Sequence, residues 1–105
     1  MHISHPFDPI EPIETDTRAF NFVADIGSTD ILSTNWTIAV SVKSEVQDPT
    51  PAARLINPAY LYNTMSVQLL SGCVDGVLYV LGASVVLADG RTISANAEML
   101  CQSKY

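Results

Sequence analysis

The chain has 105 residues, 48% of them hydrophobic and 15% charged, with a formal net charge of −6. That length suits one domain able to bury about 65% of the surface its unfolded form exposes, which excludes disorder over most of the chain. The five basic residues, Arg18, Lys43, Arg54, Arg91 and Lys104, stand singly, which excludes a basic stripe for nucleic-acid phosphates or for an anionic membrane.

Residues 1–17 differ in composition from the rest. Pro6, Pro9 and Pro12 alternate with Asp8, Glu11, Glu14 and Asp16, and proline fixes φ while removing backbone donors. The segment reads as an extended acidic arm, with the domain proper over 18–105. Isolated Phe7, Ile10 and Ile13 have a purpose if the arm lies along another surface; a frayed tail is the alternative. No basic-then-apolar leader opens the sequence, and the longest apolar run, 77–88, is too short for a membrane-spanning helix. A soluble chain made in a cytoplasm is therefore expected.

From Arg18 the pattern becomes that of strands. Phe20, Phe22 and Ala24 alternate with Asn21 and Val23, and turn formers follow over 25–30. Trp36, Ile38, Val40 and Val42 then face one side, with Thr37, Ala39, Ser41 and Lys43 on the other. Residues 44–58 carry Pro49, Pro51 and Pro58 and read as a long irregular crossing, with one helical turn available over 52–56. Tyr60 and Tyr62 lead into Met65, Val67 and Leu69, whose alternation with Ser66 and Gln68 predicts a further half-buried strand.

The closing stretch is the most informative. Asp89-Gly90 between two β-prone runs predicts a type I′ hairpin joining strands at 77–87 and 92–101, with Ile93, Ala95, Ala97 and Met99 facing inward. Leu78 and Val80 make the start of the first of these strands apolar on both faces, so its outer face is expected to be covered, by the long loop, by a neighbour's arm or by another protein. Asp75-Gly76 precedes Tyr79 with the spacing of a tyrosine corner, in which a Tyr on the penultimate strand hydrogen-bonds back across the turn upstream. Leu81 then stands where an immunoglobulin domain has its second disulfide cysteine, and Trp36 where it has its core tryptophan. The fold class that follows is all-β: an immunoglobulin-like antiparallel β-sandwich with an extended N-terminal arm, in which Trp36, Tyr79, Asp75, Asp89 and Gly90 are the structural residues.

Chemistry has little support in the sequence. His2 and His5 lie in the arm, where no scaffold holds them against a nucleophile, and with Asp8 they form a metal set lacking a supporting shell. Asp25 and Asp30 lack EF-hand spacing. Asn35-Trp36-Thr37 matches a glycosylation sequon but reads as strand. The expectation is no catalytic residue, no metal and no cofactor. Cys73 and Cys101 are either a disulfide pair or two free thiols, and nothing in the sequence says that they meet.

The series FNFVADIGSTDIL, NWTIAVSV and MSVQLLSGCVDGVLYVLGASVVLADGRTIS resembles the small Ig-like structural proteins of tailed bacteriophages, the fibre–tail adaptor type among them. Asp25, Asp30, Ile31, Trp36, Gly72, Gly76, Tyr79, Asp89, Gly90 and Arg91 carry the likeness, which spans 20–99. The proline-rich middle loop is longer than in that family, and the arm lies outside the match. The resemblance implies a non-enzymatic virion component, assembled in the host cytoplasm as a ring-like homo-oligomer. It would join a tail or neck ring to fibres or to its neighbours, without nucleic acid or membrane as partner. A capsid decoration protein is one alternative. A carbohydrate-binding adhesin module is another, for which Tyr60 and Tyr62 are the exposed aromatic candidates.

Overall fold

The computed structural model describes residues 2, 3 and 6–103, the first two by backbone alone. Strands account for most of the chain: β1 (His2–Ile3), β2 (Thr15–Asn21), β3 (Ile31–Val40), β4 (Leu55–Tyr62), β5 (Met65–Ser71), β6 (Leu78–Leu87) and β7 (Thr92–Leu100). One α-helical turn, α1 (Val23–Ile26), follows β2, and one 3-10 turn (Pro51–Arg54) precedes β4. Two sheets face each other. The first has the order β1-β7-β6-β3, antiparallel except for β1, which runs parallel to β7; the second is antiparallel with the order β2-β5-β4. The chain is thus an all-β sandwich, and its core is the apolar layer between the sheets.

The β6–β7 hairpin forms where alternation and the Asp-Gly pair place it, in register from Leu78 against Leu100 to Val86 against Thr92. Its turn departs from the predicted type I′ form. Asp89 keeps a negative φ and only Gly90 is left-handed, at φ 91°. The Gly90 N–H donates to the Leu87 carbonyl at 2.9 Å and the Leu87 N–H to the Arg91 carbonyl at 2.8 Å. This is the three-residue connection with glycine at the left-handed position. Asp89 acts through its side chain, accepting the Arg91 N–H at 3.0 Å.

Five further expectations need correction. The strand over residues 20–24 begins earlier and ends at Asn21, because Val23–Ile26 coils into α1 and buries Ile26. The alternation after Trp36 stops at Val40: Ser41 is buried and Val42 is fully exposed. The long crossing ends at Arg54 and not at Pro58, since Leu55–Tyr62 is a strand with a bulge at Asn57-Pro58-Ala59. There the register moves between Ile56/Leu69 and Tyr60/Val67. A bulge tolerates Pro58, which has no ladder hydrogen bond to give, and it holds Asn57 at φ 62°.

On β5 the apolar and polar faces are reversed. Ser66, Gln68 and Leu70 point into the sandwich, at 0%, 3% and 0% exposure, while Met65, Val67 and Leu69 face out. The buried polar groups are satisfied. The Trp36 indole donates to Ser66 Oγ at 2.7 Å, and the Gln68 amide lies 3.0 Å from the carbonyl oxygens of Ile56 and Asn57, which the bulge has freed.

Residues 6–17 do not stand apart from the sandwich, and the boundary at residue 17 falls inside β2. Ile10 is 0% exposed, and its backbone forms a parallel bridge to Cys101. The Phe7 ring stacks on Trp36 at 6.4 Å and meets Phe20 at 5.0 Å. Arg18 also reaches back to the Asp8 carbonyl at 3.1 Å. Parallel pairing on β7 gives the proline-spaced segment a sheet edge, and its apolar residues fill the open side of the core. Ile10→Ala is expected to lower unfolding free energy in urea by about 2–5 kcal/mol, as a fully buried aliphatic does. Removal of residues 1–14 is expected to abolish the cooperative transition; a stably folded remainder would show the segment to be dispensable.

Candidate interaction face

The candidate site is built on a buried carboxylate. Asp48, in the loop between β3 and the 3-10 turn, is 5% exposed. Its Oδ1 accepts the Thr50 N–H at 2.9 Å and its Oδ2 accepts the Tyr79 hydroxyl at 2.8 Å. Arg54 Nε lies 3.3 Å from the same Oδ2. The Tyr79 hydroxyl in turn accepts the Val74 N–H at 3.0 Å, five residues upstream, so the predicted bond back across the turn is present. Burial alone would push the Asp48 carboxyl up. The Thr50 N–H, the Tyr79 hydroxyl and the Arg54 guanidinium outweigh it and hold the carboxyl below its ordinary 3.8. Burial, joined by the hydrogen bond to Asp48 and the charge of that group, outweighs the Val74 N–H and moves the Tyr79 hydroxyl the other way, so it stays protonated and donating.

Arg54 carries this anchor to β4. It is the last residue before that strand, and its guanidinium also donates to the Gly72 carbonyl just beyond β5. Leu55 is therefore delivered opposite Leu70, and the bulge held by Gln68 brings Tyr60 opposite Val67 and Tyr62 opposite Met65. The bulge adds an even number of residues, so Ile56, Tyr60 and Tyr62 share the outward face.

The outer face of the β2-β5-β4 sheet is consequently apolar along its middle. Val67 lies at the centre at 7% exposure, yet it does not join the core between the sheets. Met65 and Leu69 flank it half-buried, with Ala19 opposite on β2. Tyr60 and Tyr62 rise beside them, 52% and 60% exposed. Thr17 and Asn21 complete the β2 side, and none of these residues is charged.

Of the residues singled out in the sequence, Tyr60 and Tyr62 come together on this face. Ile13 is 90% exposed, in the turn just before β2 and outside this face. Phe7 and Ile10 pack into the chain's own core, which corrects their expected contact with a separate surface. Trp36 and Tyr79 are buried, Asp75 caps the Ser103 N–H at 2.9 Å, and Asp89 and Gly90 shape the hairpin turn. His5 and the His2 side chain lie outside the described residues. Among the described residues, no group of three His, Cys, Asp or Glu side chains could hold a metal, and no helix is long and apolar enough to cross a membrane. Sequence reading missed Asp48 and Arg54 as the anchor and Val67 as the centre of the face; adjacent Leu69 and Leu70 were the signal that both faces of β5 carry apolar residues. Comparison with family models, curated proteins and solved structures returns no match.

Tyr79→Phe leaves Asp48 and the Val74 N–H each one partner short, and a loss of about 1–3 kcal/mol in urea unfolding is expected. A carboxyl held low in the folded state contributes stability above the unfolded value of 3.8, and that stability is lost as pH falls through the lower folded value. Asp48→Asn is therefore expected to flatten the decline in stability below pH 3.8 while costing stability at neutral pH. A decline as steep as in the parent would contradict the assignment.

Proposed function

We propose that the chain is a non-enzymatic structural protein of a tailed-bacteriophage virion, a tail or neck adaptor that joins neighbouring subunits or fibres to the particle. The observation that carries this reading is the uncharged face around Val67, edged by the exposed rings of Tyr60 and Tyr62. A face of that kind on a chain of net charge −6 is suited to burial against another protein, with aromatic side chains as anchors. The partners in this reading are other virion proteins and further copies of the chain in a ring, in a particle assembled in the host cytoplasm.

The frame is read as immunoglobulin-like. Three features support it: strand order β7-β6-β3 against β2-β5-β4, with β1 added parallel to β7; the core Trp36 on the third strand; and a tyrosine corner on the sixth. The role first expected of the N-terminal arm passes to the sheet face, since Phe7 and Ile10 are occupied within the chain. The same exposed tyrosines suit a second reading, a carbohydrate-binding adhesin module, because sugar rings stack on such side chains. A capsid decoration role would use the same frame on tail-less heads.

Particles purified from a producing lysate are expected to contain the chain in many copies. Tyr60→Ser with Tyr62→Ser is expected to cut incorporation at least about tenfold, the loss of a pair of aromatic anchors, while the melting temperature stays within a few degrees. Incorporation at the parent level would sink the assignment of the face. Binding on a glycan array, or to heads lacking tails, would favour one of the alternatives.

A further inference from the structure

Folding brings together two cysteines that the sequence leaves unrelated. Cys73 follows β5 and Cys101 follows β7; they are 3% and 0% exposed. Both are free thiols buried in the same core cluster, with their side chains close to each other. The backbone around them is held from both sides. The Cys101 N–H donates to the Val77 carbonyl at 2.9 Å, and the Gly76 N–H donates to the Cys101 carbonyl at 2.7 Å. On the other side, the Gln102 N–H donates to the Ile10 carbonyl at 2.9 Å. Val74, next to Cys73, is the residue whose N–H meets Tyr79. The two side chains are thus kept close by the same turn and strand end that the anchor organises.

We propose that Cys73 and Cys101 are an oxidisable pair that closes to an intramolecular disulfide, with a small-molecule disulfide as oxidant. One cysteine attacks the oxidant's S–S bond as thiolate, forming a mixed disulfide and releasing one thiol. The second cysteine then displaces the remaining oxidant sulfur as another thiol. The chain gives up two protons and two electrons, and the oxidant's disulfide becomes two thiols. The new bond ties the turn before β6 to the end of β7 and, through the bridge at Cys101, secures the segment around Ile10.

The fold favours this bond by holding the thiols close to each other, and by linkage the bond favours the fold. Burial also pushes the Cys101 thiol up to about 12, and Cys73 upward as well, so neither sulfur attacks readily while the site is closed. Closure is therefore slow in the folded chain and fast during refolding.

The test is to refold the full chain from urea into a buffer of reduced and oxidised glutathione at neutral pH. A parallel sample stays unfolded in urea with the same buffer; both are quenched in acid and weighed by mass spectrometry. The refolded chain is expected to lose two hydrogens, to yield a linked peptide pair containing Cys73 and Cys101, and to show a disulfide-to-dithiol ratio at least about tenfold above the urea sample. Its melting temperature is expected to rise by several degrees over the reduced form, and Cys73→Ser or Cys101→Ala to abolish the two-hydrogen loss. The proposal is overturned by a refolded chain that stays dithiol or carries glutathione, by a ratio no higher than in urea, or by an oxidised form that melts at or below the reduced one.

Discussion

The structure depends on one buried charge. The Asp48 carboxylate sits where water cannot reach it, and leaving such a group unpaired would cost more than most single interactions return. Its partners come from three places: Thr50 in the same loop, Arg54 at the start of β4, and Tyr79 on β6. Satisfying it requires the loop, the 3-10 turn and the corner before β6 to be in place together. The long connection between the sheets is thereby fixed, although it has little regular structure of its own.

That constraint is what links sequence to surface. Arg54 binds both Asp48 and the Gly72 carbonyl, so the first residues of β4 cannot slide against β5. The bulge at Asn57 then absorbs a proline inside a strand, and Gln68 supplies donors to the carbonyls it exposes. Register decides which side chains face solvent, and here it sends both exposed tyrosines to the side where Val67 lies. The opposing sheet has a different character: Asn35, Thr37, Ser84, Ser94 and Asn96 line a shallow cleft on its outer surface. The polar lining of that cleft contrasts with the uncharged surface around Val67 on the other sheet.

How much of this was legible depends on the distance of the partners in sequence. The β6–β7 hairpin and the corner at Tyr79 are local, written in Asp-Gly pairs and alternation, and they could be read directly. Trp36 was legible as a core residue, but its acceptor Ser66 was not, because nothing near Ser66 shows that an indole will arrive from another sheet. Reading Met65, Val67 and Leu69 as the inward set followed the usual rule that apolar residues face the core. The rule failed because Ser66 and Gln68 found buried partners and Leu70 filled the space between the sheets. Pro58 and Asn57 concealed β4, since both are turn formers unless a bulge receives them. Proline spacing concealed the packing of Phe7 and Ile10, which rests on parallel pairing with the far end of the chain.

In the function proposed above, the face bearing Tyr60 and Tyr62 is buried against another protein of the particle. Hydroxyl-radical footprinting, read by mass spectrometry on the free chain and on purified particles, addresses it directly. Labelling of Tyr60, Tyr62 and Met65 is predicted to drop severalfold in the particle while exposed Val42 and Leu32 keep theirs. Equal labelling of the tyrosines in both states, or particles from which the chain is missing, would contradict it.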